Sequence, residues 1–69
     1  MNTYSRVRLL TDNYTDAGVG IGDFGYIIET YPNNVYEVEF SDANGNTIAQ
    51  LVVQSSEIAL AEPSLFSAQ

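Results

Sequence analysis

Val35-Tyr36-Glu37-Val38-Glu39-Phe40 alternates apolar and acidic side chains without a break. No other feature constrains the chain as much. A period of two belongs to a strand with one face on a core and the other in water. It sends Tyr36, Val38 and Phe40 inward and Glu37 and Glu39 outward. The same period recurs along the chain, and helical periodicity is nearly absent. Ser5 to Leu10 puts Val7 and Leu9 on one face and Arg6 and Arg8 on the other. Phe24 to Tyr31 is rich in strong strand formers. Thr47 to Gln54 has Ala49, Leu51 and Val53 inward, with Ile48 and Val52 beside Gln50 and Gln54 on the outer face.

The connections are equally legible. Pro32-Asn33-Asn34 predicts a three-residue hairpin loop, with Pro32 and Asn33 in a type I turn and Asn34 at positive φ. Asp42-Ala43-Asn44-Gly45-Asn46 predicts a second hairpin turning on Asn44-Gly45. Ser55-Ser56-Glu57 predicts one tight 3₁₀ turn before a short strand at Ile58 to Leu60. Thr11 to Gly22, rich in Asp, Asn and Gly, is a long loop for so small a domain, and such loops tend to be functional or mobile. The expected fold is therefore all-β: a small SH3-like five-stranded barrel with a long loop between strands one and two. It occupies residues 1–62 as a single domain, and residues 63–69 are expected to form a flexible C-terminal tail.

Composition narrows the function. The 69 residues include no cysteine, no histidine and no tryptophan, and only two basic against nine acidic residues, for a formal charge of −7. Disulfides, thiolate or imidazole metal sites and a cysteine nucleophile are all removed. No motif asks for a cofactor. The field of so acidic a chain repels phosphate and anionic lipid, so neither nucleic acid nor membrane is the expected partner. With no leader-like start and no apolar run near the length of a membrane helix, the expectation is a soluble, cytoplasmic protein.

Three motifs yield to plainer explanations. Gly20-Ile21-Gly22-Asp23-Phe24-Gly25 matches G-x-G-x-x-G, but Tyr26-Ile27-Ile28 continues it as a strand, not as the helix a dinucleotide site needs. A bend at Gly22 and Gly25 explains it better. Asp12, Asp16 and Asp23 have the spacing of the first, fifth and last positions of a calcium loop. Tyr14 and Ala17 stand where the third ligand and the glycine belong, so turn-forming roles fit better. Glu37 and Glu39 share a wet face that would not raise a pKa, and Ser55-Ser56 has no base, so catalysis is not expected.

What remains is a recognition surface. Five tyrosines and three phenylalanines are more than so small a core can hide. Tyr14 in the long loop, Phe24 at its end and Tyr31 beside the first hairpin are the expected contact aromatics, next to Asp16 and Asp23. Asp12, Glu37 and Glu39 add steering toward a basic protein.

Val7-Arg8-Leu9-Leu10-Thr11-Asp12, Gly18, Gly22-Asp23-Phe24-Gly25-Tyr26-Ile27-Ile28-Glu29, and Val35-Tyr36-Glu37-Val38-Glu39-Phe40 with Asp42 and Gly45 together resemble a bacterial family of short SH3-like proteins, DUF4926. The resemblance runs from about residue 4 to residue 60 and departs from the family's pattern at Gly20. It implies the same fold and no established activity. It also implies a free-standing protein often encoded beside a larger companion, in toxin–antitoxin-like arrangements. The expected function is thus a non-enzymatic interaction module that binds, and neutralises, a larger basic protein, with weak homodimerisation as a second mode. The alternatives are a KOW-type nucleic-acid-binding module, suggested by Gly22, Gly25 and Ile27, and a structural subunit of an enzyme complex.

Overall fold

A computed structural model describes residues 1–61 of the chain. The tail expected at 63–69 lies outside the described residues. Five antiparallel strands form one sheet in the order β4-β3-β2-β1-β5: β1 (Arg6–Leu9), β2 (Phe24–Tyr31), β3 (Val35–Ser41), β4 (Thr47–Gln54) and β5 (Ile58–Leu60). The fold is the SH3-like one that the alternation predicts. Two 3₁₀ turns, Thr15–Ala17 and Ser55–Glu57, complete it. No helix among the described residues is long and apolar enough to cross a membrane.

The sheet is forced to roll. Laid flat, four strand spacings would hold β4 and β5 about 19 Å apart. Yet only Ser55–Glu57 joins them, and three 3₁₀ residues rise about 6 Å. The two edges therefore meet at one seam, through a turn and not through a shared ladder. Glu57 fixes that turn, because its Oε1 accepts the Gln54 N–H at 3.0 Å in a capping box. The roll wraps Val7, Leu9, Val19, Ile27, Val38, Phe40, Val53 and Ile58 into the core, with Tyr14, Tyr36, Ala49 and Leu51 packed against it. Each fully buried large side chain contributes about 1.5–3 kcal/mol.

Three details differ from the sequence expectation. Asn33 and Asn34 are both left-handed, at φ 66° and 61°, so the first hairpin does not turn through type I. Asparagine tolerates that region because its short polar side chain can bond locally. Gly22 does sit at a bend (φ 92°), but Gly25 does not: it is a close approach inside the ladder. A Cβ there would stand 2.6 Å from the Glu39 carbonyl oxygen and 2.8 Å from Val38 Cγ1. Ile48 stays exposed, as the alternation expects, although the ladder beside it is irregular. The register shifts between Phe40 and Ser41, and the Ile48 methyl lies against Gly18, where an added Cβ would meet it at 3.4 Å. Finally, Val19 brings the long loop into the core at 1% exposure, so part of that loop is structural.

Candidate functional site

The long loop spans the seam. Its Tyr14 packs on the core, and the hydroxyl donates to Glu57 Oε1 at 2.6 Å, while the Asn13 side-chain amide donates to Oε2 at 3.2 Å. Burial first, then the bond to Glu57 and its charge, push the Tyr14 hydroxyl up to about 12. Burial pushes the Glu57 carboxyl the other way, but the Gln54, Tyr14 and Asn13 donors outweigh it and hold the carboxyl below its ordinary value. Tyr14 is thus a fastener between loop and turn. Asp16 is exposed in the 3₁₀ turn beside it.

Tyr31 lies at the opposite end of β2 from Phe24, seven residues or roughly 23 Å away along the strand. Its hydroxyl donates to Glu37 Oε1 at 2.6 Å, and that bond chiefly raises the tyrosine and lowers the carboxylate. Gln50 completes the cluster by donating to Glu37 Oε2. The five expected contact residues therefore do not form one patch. Asp23 and Phe24 stay together, whereas Tyr14 and Asp16 belong to the loop and Tyr31 to the far hairpin.

Asp23 and Phe24 border a groove of about 480 Å³ between the Gly22–Asp23 bend and the Asp42–Gly45 hairpin. Arg6, Tyr26, Ser41 and Asp42 line it as well. The ladder places them: Arg6 pairs with Tyr26, and Gly25 pairs with Phe40, so Phe24 and Tyr26 share the outer face with Arg6. The rings are 39% and 47% exposed, large for aromatics side by side on one face. The Arg6 guanidinium carbon sits 4.0 Å from the Phe24 ring centre, a cation–π contact. Its Nη1 also reaches the Ala61 carbonyl at 3.5 Å.

Both acidic walls are oriented by the backbone. Asp23 Oδ2 accepts the Gly20 N–H at 2.8 Å. Asp42 Oδ1 accepts the N–H groups of Asn44 and Asn46, each at 2.9 Å. The Asn46 N–H is the main cause holding the Asp42 carboxyl below its ordinary value. The groove is thus suited to binding through rings and fixed charges.

The family model for a Domain of unknown function (DUF4926) matches residues 3–60. The chain belongs to this family. No curated protein and no solved structure matches it. Within this DUF4926 domain, sequence reasoning found Asp23 and Phe24 but missed Arg6, Tyr26 and Asp42 as their neighbours. Tyr26 carried a usable signal, since two residues beyond Phe24 on a strand is the same face. Asp42 carried none beyond its turn-forming role.

Proposed function

We propose that this DUF4926 protein is a non-enzymatic interaction module that binds a larger, basic protein and restrains that protein's activity, as an inhibitor or antitoxin does. The observation supporting this reading is the groove: two exposed rings and a stacked arginine on a body of net charge −7. Aromatic and arginine side chains dominate interface energetics, and the surrounding acidic charge speeds encounter with a cationic partner. Phe24 and Tyr26 are the contact residues, with Asp12, Asp16, Glu37 and Glu39 giving long-range steering.

The test is capture of the tagged full chain from native lysate of its own source at near-physiological salt, beside the double variant Phe24→Ala, Tyr26→Ala. Mass spectrometry should find one stoichiometric basic protein that the variant loses by at least about tenfold. Equal recovery by both forms would refute the assignment of the groove. Nucleic acid in the eluate without a protein, read at 260 nm, would favour the KOW-type alternative.

A further inference from the structure

We propose that the free edge of β4, from Ala49 to Val53, is a strand-addition site for an extended segment of the basic partner, one that alternates apolar and cationic side chains. The inference rests on the interaction-module reading and gives that module a second contact surface besides the groove.

The edge is open by register. β4 ends the sheet, and its ladder with β3 runs without a shift from Val35–Gln54 to Phe40–Ala49. The Ser55 N–H donates to the Asn34 carbonyl, which makes theirs a hydrogen-bonded pair. Bonded and non-bonded pairs alternate in an antiparallel ladder. Val53, Leu51 and Ala49 therefore bond β3, whereas Gln54, Val52 and Gln50 turn their N–H and C=O groups away from it. Two other bonds agree. The Gln54 N–H is taken by Glu57 Oε1, not by β3. The Ile27 N–H donates to the Ser5 carbonyl on the β1 side, so Tyr26 and its partner Glu39 bond each other, and Gln50, opposite Glu39, faces outward. Among the described residues, nothing bonds these backbone groups of Gln50 and Val52.

Sheet edges are ordinarily blunted by brevity, charge or proline. β5, at the other edge, has three residues. β4 has eight, without a charge, a proline or a glycine. Val52 is 56% exposed, and Ala49 and Leu51, which face the core, are only half-buried. An added strand would complete the ladder and cover them, as in other cases of strand addition. Gly18 against Ile48 and Glu57 on Gln54 bound the open stretch.

Charge chooses the occupant. Glu37 and Glu39 stand opposite Val52 and Gln50, on a body of net charge −7. Both carboxylates are already bonded to neighbours, so they act through their field and not as ligands. An incoming strand lies two spacings, about 10 Å, from β3, where a cation is attracted and a carboxylate repelled. A second copy would set one body of −7 against another, and its two arginines are both on β1, not on its own edge.

The experiment uses the full chain, ¹⁵N-labelled and in low salt. In the free protein the amides of Gln50 and Val52 should exchange with solvent far faster than those of Leu51 and Val53. The blocked peptide Val-Arg-Val-Arg-Val should then give saturable shifts centred on Ala49 to Val53 and slow the exchange of Gln50 and Val52. Val-Glu-Val-Glu-Val should bind at least about tenfold more weakly. So should the arginine peptide N-methylated at both arginines, which keeps its charge and apolar side chains but loses two N–H donors, again by about tenfold. Val52→Lys, at an exposed position, should weaken binding of the arginine peptide by about fivefold. Undiminished binding of the N-methylated peptide, shifts centred elsewhere, or no saturable shift would overturn the proposal. Slow exchange at Gln50 and Val52 in the free chain would overturn it as well: protection that grew with concentration would give the edge to a second copy, and protection independent of it to the chain's own residues. Partner capture lost with Phe24→Ala, Tyr26→Ala but undiminished by Val52→Lys would sink this inference alone. Peptide binding as expected, with no protein captured at all, would sink the broader reading instead.

Discussion

Replacing Gly25 by alanine separates two accounts of why the chain has glycine there. If Gly25 served a bend, alanine would cost only some conformational strain. In the structure its φ is not left-handed. A Cβ would instead stand 2.6 Å from the Glu39 carbonyl oxygen, 2.8 Å from Val38 Cγ1 and 3.0 Å from Phe40 Cδ1. The first contact is backbone, and Val38 and Phe40 are fully buried, so no flexible side-chain end can yield. β2 and β3 would have to part by several tenths of an ångström along a ladder the core depends on. Overpacking of this kind costs about 1–3 kcal/mol, and the distorted ladder places Gly25→Ala at the upper end, about 3 kcal/mol. A domain of this length is expected to have roughly 3–10 kcal/mol in total. Its unfolding entropy, about 2.1 cal/mol/K per residue, translates 1 kcal/mol into about 7 °C. Thermal unfolding followed by circular dichroism should therefore show a fall of about 20 °C. Gly22→Ala is the control: Gly22 has φ 92° with open space around it, so alanine there costs only about 1–2 kcal/mol of left-handed strain. If Gly25→Ala melted within about 5 °C of the parent, or above Gly22→Ala, the close-approach argument would be wrong.

The fastener between the long loop and the seam gives a pH signature. The Glu57 carboxyl is lowered by folding from 4.5, so its contribution is present above that value and lost as the pH falls through the folded one. Tyr14 is raised from 10.0 to about 12, so its contribution is present below 10 and lost as the pH rises toward 12. Urea titrations should find Glu57→Gln and Tyr14→Phe each about 1 kcal/mol less stable near neutrality, allowing for the partial exposure of both groups. Glu57→Gln should flatten the acid limb, and Tyr14→Phe the alkaline limb. Net charge gives a third expectation: going from about 0.01 M to about 0.2 M sodium chloride should raise the melting temperature, because the Debye length falls from about 30 Å to below 10 Å. A melting temperature indifferent to salt would mean that the seven excess negative charges do not repel one another appreciably in the fold.

The strands were legible because alternation is a local property. Each hairpin, and the Ser55–Glu57 turn, could be read from neighbouring residues. The Ile27-Ile28 doublet even announces the irregularity between Ile27 and Glu29, since strict alternation allows only one inward aliphatic there. The Phe40/Ser41 shift has no such doublet and was missed. The bond from Tyr14 to Glu57 was not legible, because that partner is 43 positions away. The groove failed to appear for a related reason. Arg6 meets Phe24 and Tyr26 only through the β1–β2 register, which spans a long loop whose turn geometry does not set it.

The seam also sets an order of events. β2, β3 and β4 are neighbours in sequence and can zip as two successive hairpins. β1 finds β5 only through pairs such as Val7 with Leu60, a closure across almost the whole described chain, with a correspondingly larger loop entropy. During synthesis the meander can assemble while β1 still has one edge unsatisfied, and the roll is completed only after Leu60 has left the ribosome. A chain truncated before Ile58 would retain four strands, β1 to β4, and most of its aromatic residues, yet have nothing to cover the edge of β1. Such a fragment is a template for pairing with other chains. The three residues of β5 thus cover the edge of β1 that would otherwise be left open to other chains.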